Sequence, residues 1–100
     1  MKIDIGRLVV TVTGPSGSVY FRGNNRDIMA ALSRAEGKPL TRAHLVECLY
    51  ETPGDEPEWS DALIGVCISR IRKRLESIGI SRNVIASANG RASCGYTLHA

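Results

Sequence analysis

The stretch Ile64-Gly65-Val66-Cys67-Ile68-Ser69-Arg70-Ile71-Arg72-Lys73-Arg74-Leu75-Glu76 decides how the rest of the chain is read. With Ile78 it sets Ile64, Ile68, Ile71, Leu75 and Ile78 at steps of four, three, four and three. At about 100° per residue these side chains fall in one narrow stripe, the mark of a helix laid against a core. The same geometry sets Ala62, Val66, Ser69, Arg70, Lys73 and Ser77 on the opposite side, with Arg72 and Arg74 on the flanks. The outer face is therefore small at its N-terminal half and cationic at its C-terminal half. Gly79 ends the helix.

Working outward from this helix, the preceding run Glu51 to Glu58 holds two prolines and a glycine, so it is a loop that keeps the flanking helices apart. Ser60 can then cap the decisive helix. Before the loop, Thr41 is expected to cap a short helix, with Leu40 and Leu45 as a hydrophobic staple and Leu45, Cys48 and Leu49 as its buried stripe. Earlier still, Asn24 reads as an N-cap with Asp27 near the positive end of the helix dipole. Ile28, Ala31, Leu32 and Ala35 follow at helical spacing until Gly37 and Pro39 stop that helix. The N-terminus is strand-like: Ile3 to Val12 alternates loosely, Ser18 to Arg22 contains Val19-Tyr20-Phe21, and Gly14-Pro15-Ser16-Gly17 lies between them. This predicts a β-hairpin or small antiparallel sheet. Downstream, Val84-Ile85-Ala86 and Gly95-Tyr96-Thr97-Leu98 are short strand-like runs separated by the turn signal Asn89-Gly90. The expectation is a single α+β domain over residues 1–100: an N-terminal antiparallel sheet over 1–23, a three-helix core over 24–79 and a β-hairpin over 83–98.

A chain of 100 residues has room for one packed core. With 43% hydrophobic and 23% charged residues it lies inside the globular range, away from disordered and coiled-coil compositions. No apolar run approaches the roughly 20 residues that span a bilayer, and the first residues lack the hydrophobic stretch of a signal peptide. The expectation is a soluble, cytoplasmic protein with no membrane partner. Cys48, Cys67 and Cys94 are odd in number and form no Cys-x-x-Cys pair, so they are read as small buried hydrophobes and no metal or cofactor is expected. His44 and His99 stand in no triad pattern and no Gly-rich phosphate loop is present, which argues against an enzyme. The charge is segregated. Glu51, Asp55, Glu56, Glu58 and Asp61 fall in a segment without a base, whereas Arg70, Arg72, Lys73, Arg74, Arg82 and Arg91 face only Glu76 in theirs. Opposite charge in adjacent segments puts two surfaces with different partners in prospect.

A run of Arg and Lys on a helix is often no more than a solvated face. Here the basic helix follows another helix across a loop and is itself followed by a turn-bearing hairpin with Arg91 at its tip. An outward face of small and cationic side chains fits the DNA major groove, and a hairpin beside it reaches the neighbouring minor groove or backbone. That arrangement is a winged helix-turn-helix. The residues also resemble the OmpR/PhoB-type DNA-binding effector domain of bacterial response regulators. Ile64 to Glu76 is similar to its recognition-helix pattern V-D-V-H-I-x-R-L-R-K-K-L-E, Leu40-Thr-Arg-Ala-His-Leu45 to its V-S-R-E-x-L, and Gly95-Tyr96-Thr97-Leu98 to the closing G-Y-x-L of its wing. Tyr50 stands where a Trp is frequent, Gly65 and Cys67 replace an Asp and a His, and the wing segment Ser87 to Cys94 is longer than the family's T-V-R-G-V. Met1 begins almost directly on the sheet, so the receiver domain that normally precedes this module is absent from the sequence. A separated effector domain and a regulator with no phosphorylation input of its own both stay open.

The resemblance implies sequence-specific binding of double-stranded DNA by a transcriptional regulator, with the third helix in the major groove and the wing on the minor groove or backbone. Arg70 and Lys73 are the expected base or phosphate contacts, Ser69 a close-approach contact, Arg72, Arg74 and Arg91 phosphate clamps, and Asn89 a further wing residue. Asp55, Glu56 and Glu58 occupy the position of the loop through which the family touches RNA polymerase; a merely solvated turn is the equal alternative. A tandem or symmetric dimer on DNA stays open. The rival reading is a winged-helix protein-interaction module that binds RNA polymerase or another regulator.

Overall fold

A computed structural model describes residues 1–49, 60–87 and 95–99, with residues 60 and 61 described in their backbone only. Strands β1 (Lys2–Ile5), β2 (Val9–Gly14) and β3 (Gly17–Arg22) form an antiparallel sheet in that order. The register pairs Ile5 with Val10 and Val10 with Phe21, then Ile3 with Val12 and Val12 with Val19. Because side chains alternate across a strand, these two rows share one face. Val10, Val12 and Phe21 are fully buried there, while Tyr20, on the other face, is exposed. The sequence reads Ile3 to Val12 as one loosely alternating run; the structure breaks it at Gly6-Arg7-Leu8. The Gly6 amide bonds the Val9 carbonyl at 2.8 Å, and Arg26 donates from Nε and Nη2 to the Gly6 carbonyl at 3.2 and 2.7 Å.

Helix α1 (Gly23–Arg34) follows β3 without a connecting loop. The expectation that Asn24 caps it is corrected. Gly23 has a left-handed backbone (φ 59°) that turns the chain straight from strand into helix, so Asn24 falls inside the first turn. Arg22 stands at the cap position and no side chain caps the helix. The buried residues of α1 are Ile28, Met29, Ala30 and Leu32, a wider face than the spacing alone indicates. Helix α2 (Arg42–Leu49) starts as expected, its Thr41 Oγ1 accepting the His44 amide at 3.1 Å. Its buried side is centred on Leu45 and Val46, and Cys48 is exposed. The expectation of a buried Cys48 is thus corrected. At about 100° per residue Val46 pulls the inward direction away from Cys48, which ends about 100° from it.

Helix α3 (Ser60–Glu76) buries Ile64, Ile68, Ile71 and Leu75, and the turn that follows it buries Ile78; each is at most 4% exposed. Its C-terminus closes with paired bonds, Gly79 N to the Glu76 carbonyl and Ile80 N to the Leu75 carbonyl, both 3.1 Å. Leu75 and Ile80 are buried on the apolar side of this cap. The tip of the β2–β3 hairpin rests on the same end, with Ser16 N bonding the Ile78 carbonyl at 3.0 Å. A short 3-10 turn over Arg82–Val84 leads into β4 (Ile85–Ser87), which pairs antiparallel with β5 (Tyr96–Leu98). Strand β5 also exchanges two 2.9 Å backbone bonds with Leu40 at the entry to α2. Gly95 is required at that crossing, since its φ is 102° and a Cβ there would collide with the Leu40 carbonyl oxygen. The core thus lies between the inner sheet face, the three helices and the β4–β5 ladder.

Candidate nucleic-acid interface

With one side of α3 sealed by aliphatics, its opposite side is fixed outward. Ala62, Val66, Ser69, Arg70, Lys73, Arg74 and Ser77 are exposed, Val66 to 45%. The 17 residues of this helix span roughly 25 Å, and an α-helix fits the width of a B-DNA major groove. Ser69, Arg70 and Lys73 therefore share one accessible strip. Among the described residues the side chains of Arg70 and Lys73 make no ion pair or hydrogen bond, whereas Arg26 pairs with Asp27 at 3.2 Å. Their charge is held on a rigid element and is not neutralised by a described neighbour. Cys67 lies on the inner side at 4% exposure, and burial pushes its thiol above the ordinary range against a smaller downward pull from Arg70.

The two flanking arginines differ from that strip. Arg74 lays its guanidinium over the buried Phe21 ring, with Cζ 5.3 Å from the centroid, which joins α3 to the sheet while the residue as a whole stays exposed. Arg72 is only half-exposed and is turned toward the wing. Its Nε and Nη2 donate to the Ile85 carbonyl at 2.9 and 2.6 Å, and its Cζ lies 5.7 Å from the Tyr96 ring centroid. The geometry thus gives Arg72 partners within the protein.

Sequence reasoning assigns no role to Arg42 or Tyr96. The structure brings them together, Arg42 Nη2 donating to the Tyr96 hydroxyl at 3.1 Å across 54 positions of chain. Both residues stand inside family-like motifs, Arg42 in Leu40 to Leu45 and Tyr96 in Gly95 to Leu98, and that is the signal by which they could be found. The wing residues Asn89 and Arg91 and the acidic residues Asp55, Glu56 and Glu58 lie outside the described residues. Cys48, at the rim of a hollow between α1 and α2, has its thiol raised by partial burial and by the carboxylates of Glu47 and Asp27. Among the described residues no group of three or more His, Cys, Asp or Glu gathers as a metal site requires, and no helix is long and apolar enough to cross a membrane.

The family model described as transcriptional regulatory protein, C terminal, matches residues 17–98. Among solved structures, the DNA-binding domain of the response regulator AdeR, crystallised in complex with an intercistronic region, superposes with a TM-score of 0.70. The alignment covers 100% of this chain and 96% of that one at 19% identity, a likeness of fold. No curated protein sequence matches significantly.

Proposed function

The chain belongs to the family of C-terminal domains of transcriptional regulatory proteins, a DNA-binding rather than an enzyme family, and on that premise we propose that it binds double-stranded DNA sequence-specifically with α3 in the major groove. The observation that carries the reading is the division of α3 into a sealed aliphatic side and an outward strip on which the charges of Arg70 and Lys73 are paired with no described residue. In this role Arg70 and Lys73 meet base edges or phosphates, and Ser69, small and exposed, allows close approach. Arg74 reaches the flanking backbone from its seat on Phe21. The segment between β4 and β5 contains Asn89 and Arg91, whose role in this reading is contact with the minor groove or backbone. The acidic residues Asp55, Glu56 and Glu58, which phosphates would repel, are left for a protein partner such as RNA polymerase.

The test is a fluorescence-polarisation titration with two probes, a duplex selected by this chain from a random pool and an unselected duplex, each at two salt concentrations. Tighter binding of the selected duplex is expected. Affinity for the unselected one should fall with salt at a slope of about −0.9 per phosphate neutralised. Absence of duplex binding at low salt would leave the protein-interaction reading in its place.

A further inference from the structure

One side chain fastens the wing to both helices of the helix-turn-helix. Tyr96 in β5 is 2% exposed. Arg42 of α2 bonds its hydroxyl at 3.1 Å and sets a guanidinium 5.8 Å from the ring centroid, while Arg72 of α3 sets another at 5.7 Å. Arg72 also grips the other wing strand through the Ile85 carbonyl, at 2.9 and 2.6 Å. Since Ile85 pairs with Leu98 and Ser87 with Tyr96, one guanidinium touches both strands of the hairpin.

Two cations against a single buried ring is a poor choice if holding the strand down were the only requirement. The guanidiniums are partly desolvated, a cost that the aliphatic contacts of α3 with the sheet and α1 do not carry. What the arginines add is direction. A planar fork bonded to a carbonyl, and a ring held at its face and at its hydroxyl, fix an angle that aliphatic packing leaves softer.

We propose that Tyr96 is a positioning residue for DNA recognition: through Arg42 and Arg72 it locks the wing to the recognition helix, so that both meet the duplex as one rigid body. The inference rests on the DNA-binding reading above. A cognate site needs helix and wing in register and gains from the lock, whereas random duplex, bound through charge alone, does not. Arg72 on this account contributes by its fork and not by its charge alone.

The experiment compares Tyr96→Phe, which removes only the hydroxyl, Tyr96→Leu, which removes the ring, and Arg72→Lys, which keeps the charge and loses the fork. Each is titrated with the duplex selected by the wild-type chain and with random duplex, and amide exchange over Ile85–Ser87 and Tyr96–Leu98 is followed without DNA. Tyr96→Leu should weaken binding of the selected duplex by roughly three- to tenfold. It should leave random-duplex affinity and its salt slope in place, and speed exchange in β4 and β5 while the middle of α3 stays protected. Arg72→Lys should lose selected-duplex affinity despite its retained charge, and Tyr96→Phe should fall between Tyr96→Leu and wild type. Equal losses on both duplexes, or undiminished selected-duplex affinity in Arg72→Lys and Tyr96→Phe, would overturn the proposal. A wild-type chain that selects no duplex would overturn the underlying reading and this one with it, and that outcome shows before any substitution is made.

Discussion

The two flanks of α3 are held by different forces. Toward the sheet and α1 the contacts are aliphatic and aromatic: Ile64, Ile68, Ile71 and Leu75 pack among Val10, Phe21, Ile28 and Leu32, all at most 1% exposed. Toward the wing Ile85, Tyr96 and Leu98 are buried too, and directional contacts join them: Arg72 of α3 on the Ile85 carbonyl and, from the start of α2, Arg42 on the Tyr96 hydroxyl and the Leu40–Tyr96 backbone pair. Burial of apolar area is large and indifferent to angle, whereas hydrogen bonds are smaller and strict about it. Apolar burial therefore supplies most of the stability, and the directional bonds added on the wing side set where the hairpin stands relative to the outward strip. Substitutions on the two sides should separate melting temperature from geometry.

The largest effect is expected on the sheet side. Leu75→Ala opens a cavity at a fully buried position and should cost about 2–5 kcal/mol, a large part of the stability of a domain this size. At about 4–8 °C per kcal/mol, thermal denaturation should show a fall of roughly ten degrees or more. A midpoint that hardly moves would break the comparison at its stronger end. Next, Gly95→Ala puts a Cβ against the Leu40 carbonyl at a left-handed backbone position. A loss of about 1–3 kcal/mol is expected, with amide exchange accelerating in β4, β5 and at Leu40 before it does in α3. Uniform acceleration would mean that the wing is not a separately attached unit. Thr41→Ala removes the hydroxyl that accepts the His44 amide and should cost about 1 kcal/mol, read by denaturant unfolding.

The smallest effect is one of pH. Burial raises the native Cys67 thiol above its value in the unfolded chain. Its contribution is complete below the unfolded pKa and is lost as pH climbs through the native one. Cys67→Ala should lower stability at neutral pH and make the alkaline decline shallower. An alkaline decline identical to wild type would show that this thiol does not report on the inner face.

Legibility in the sequence follows the same division. The stripe from Ile64 to Ile78 is readable because burial against a core imposes a period, and the period survives without knowing what the core is. Thr41 is readable because a cap is a local bond. The break between β1 and β2 is not, because Gly6-Arg7-Leu8 has no Pro or Asn and Leu8, 77% exposed, continues the apolar look of a strand through the turn. Cys48 and Val46 exchange places because a helix of eight residues offers too few turns to fix its inward direction. Asn24 is misread because the chain needs no loop between β3 and α1. Arg72 is the instructive case: its charge is visible, but its acceptor, the Ile85 carbonyl, is a backbone atom supplied by another element. Sequence shows which residues carry charge and leaves open whether a guanidinium faces a phosphate or a carbonyl.

The central claim is that one helix keeps its stability on the inside and its DNA affinity on the outside. The most direct measurement is the salt dependence of duplex affinity for Arg70→Ala combined with Lys73→Ala, taken alongside its melting temperature. Both residues are exposed and unpaired among the described residues, so the melting temperature should stay near wild type. Affinity should drop, and the slope of log affinity against log salt should flatten by about 0.9 for each phosphate that the chain no longer neutralises. An intact fold with unchanged affinity and slope would contradict the account.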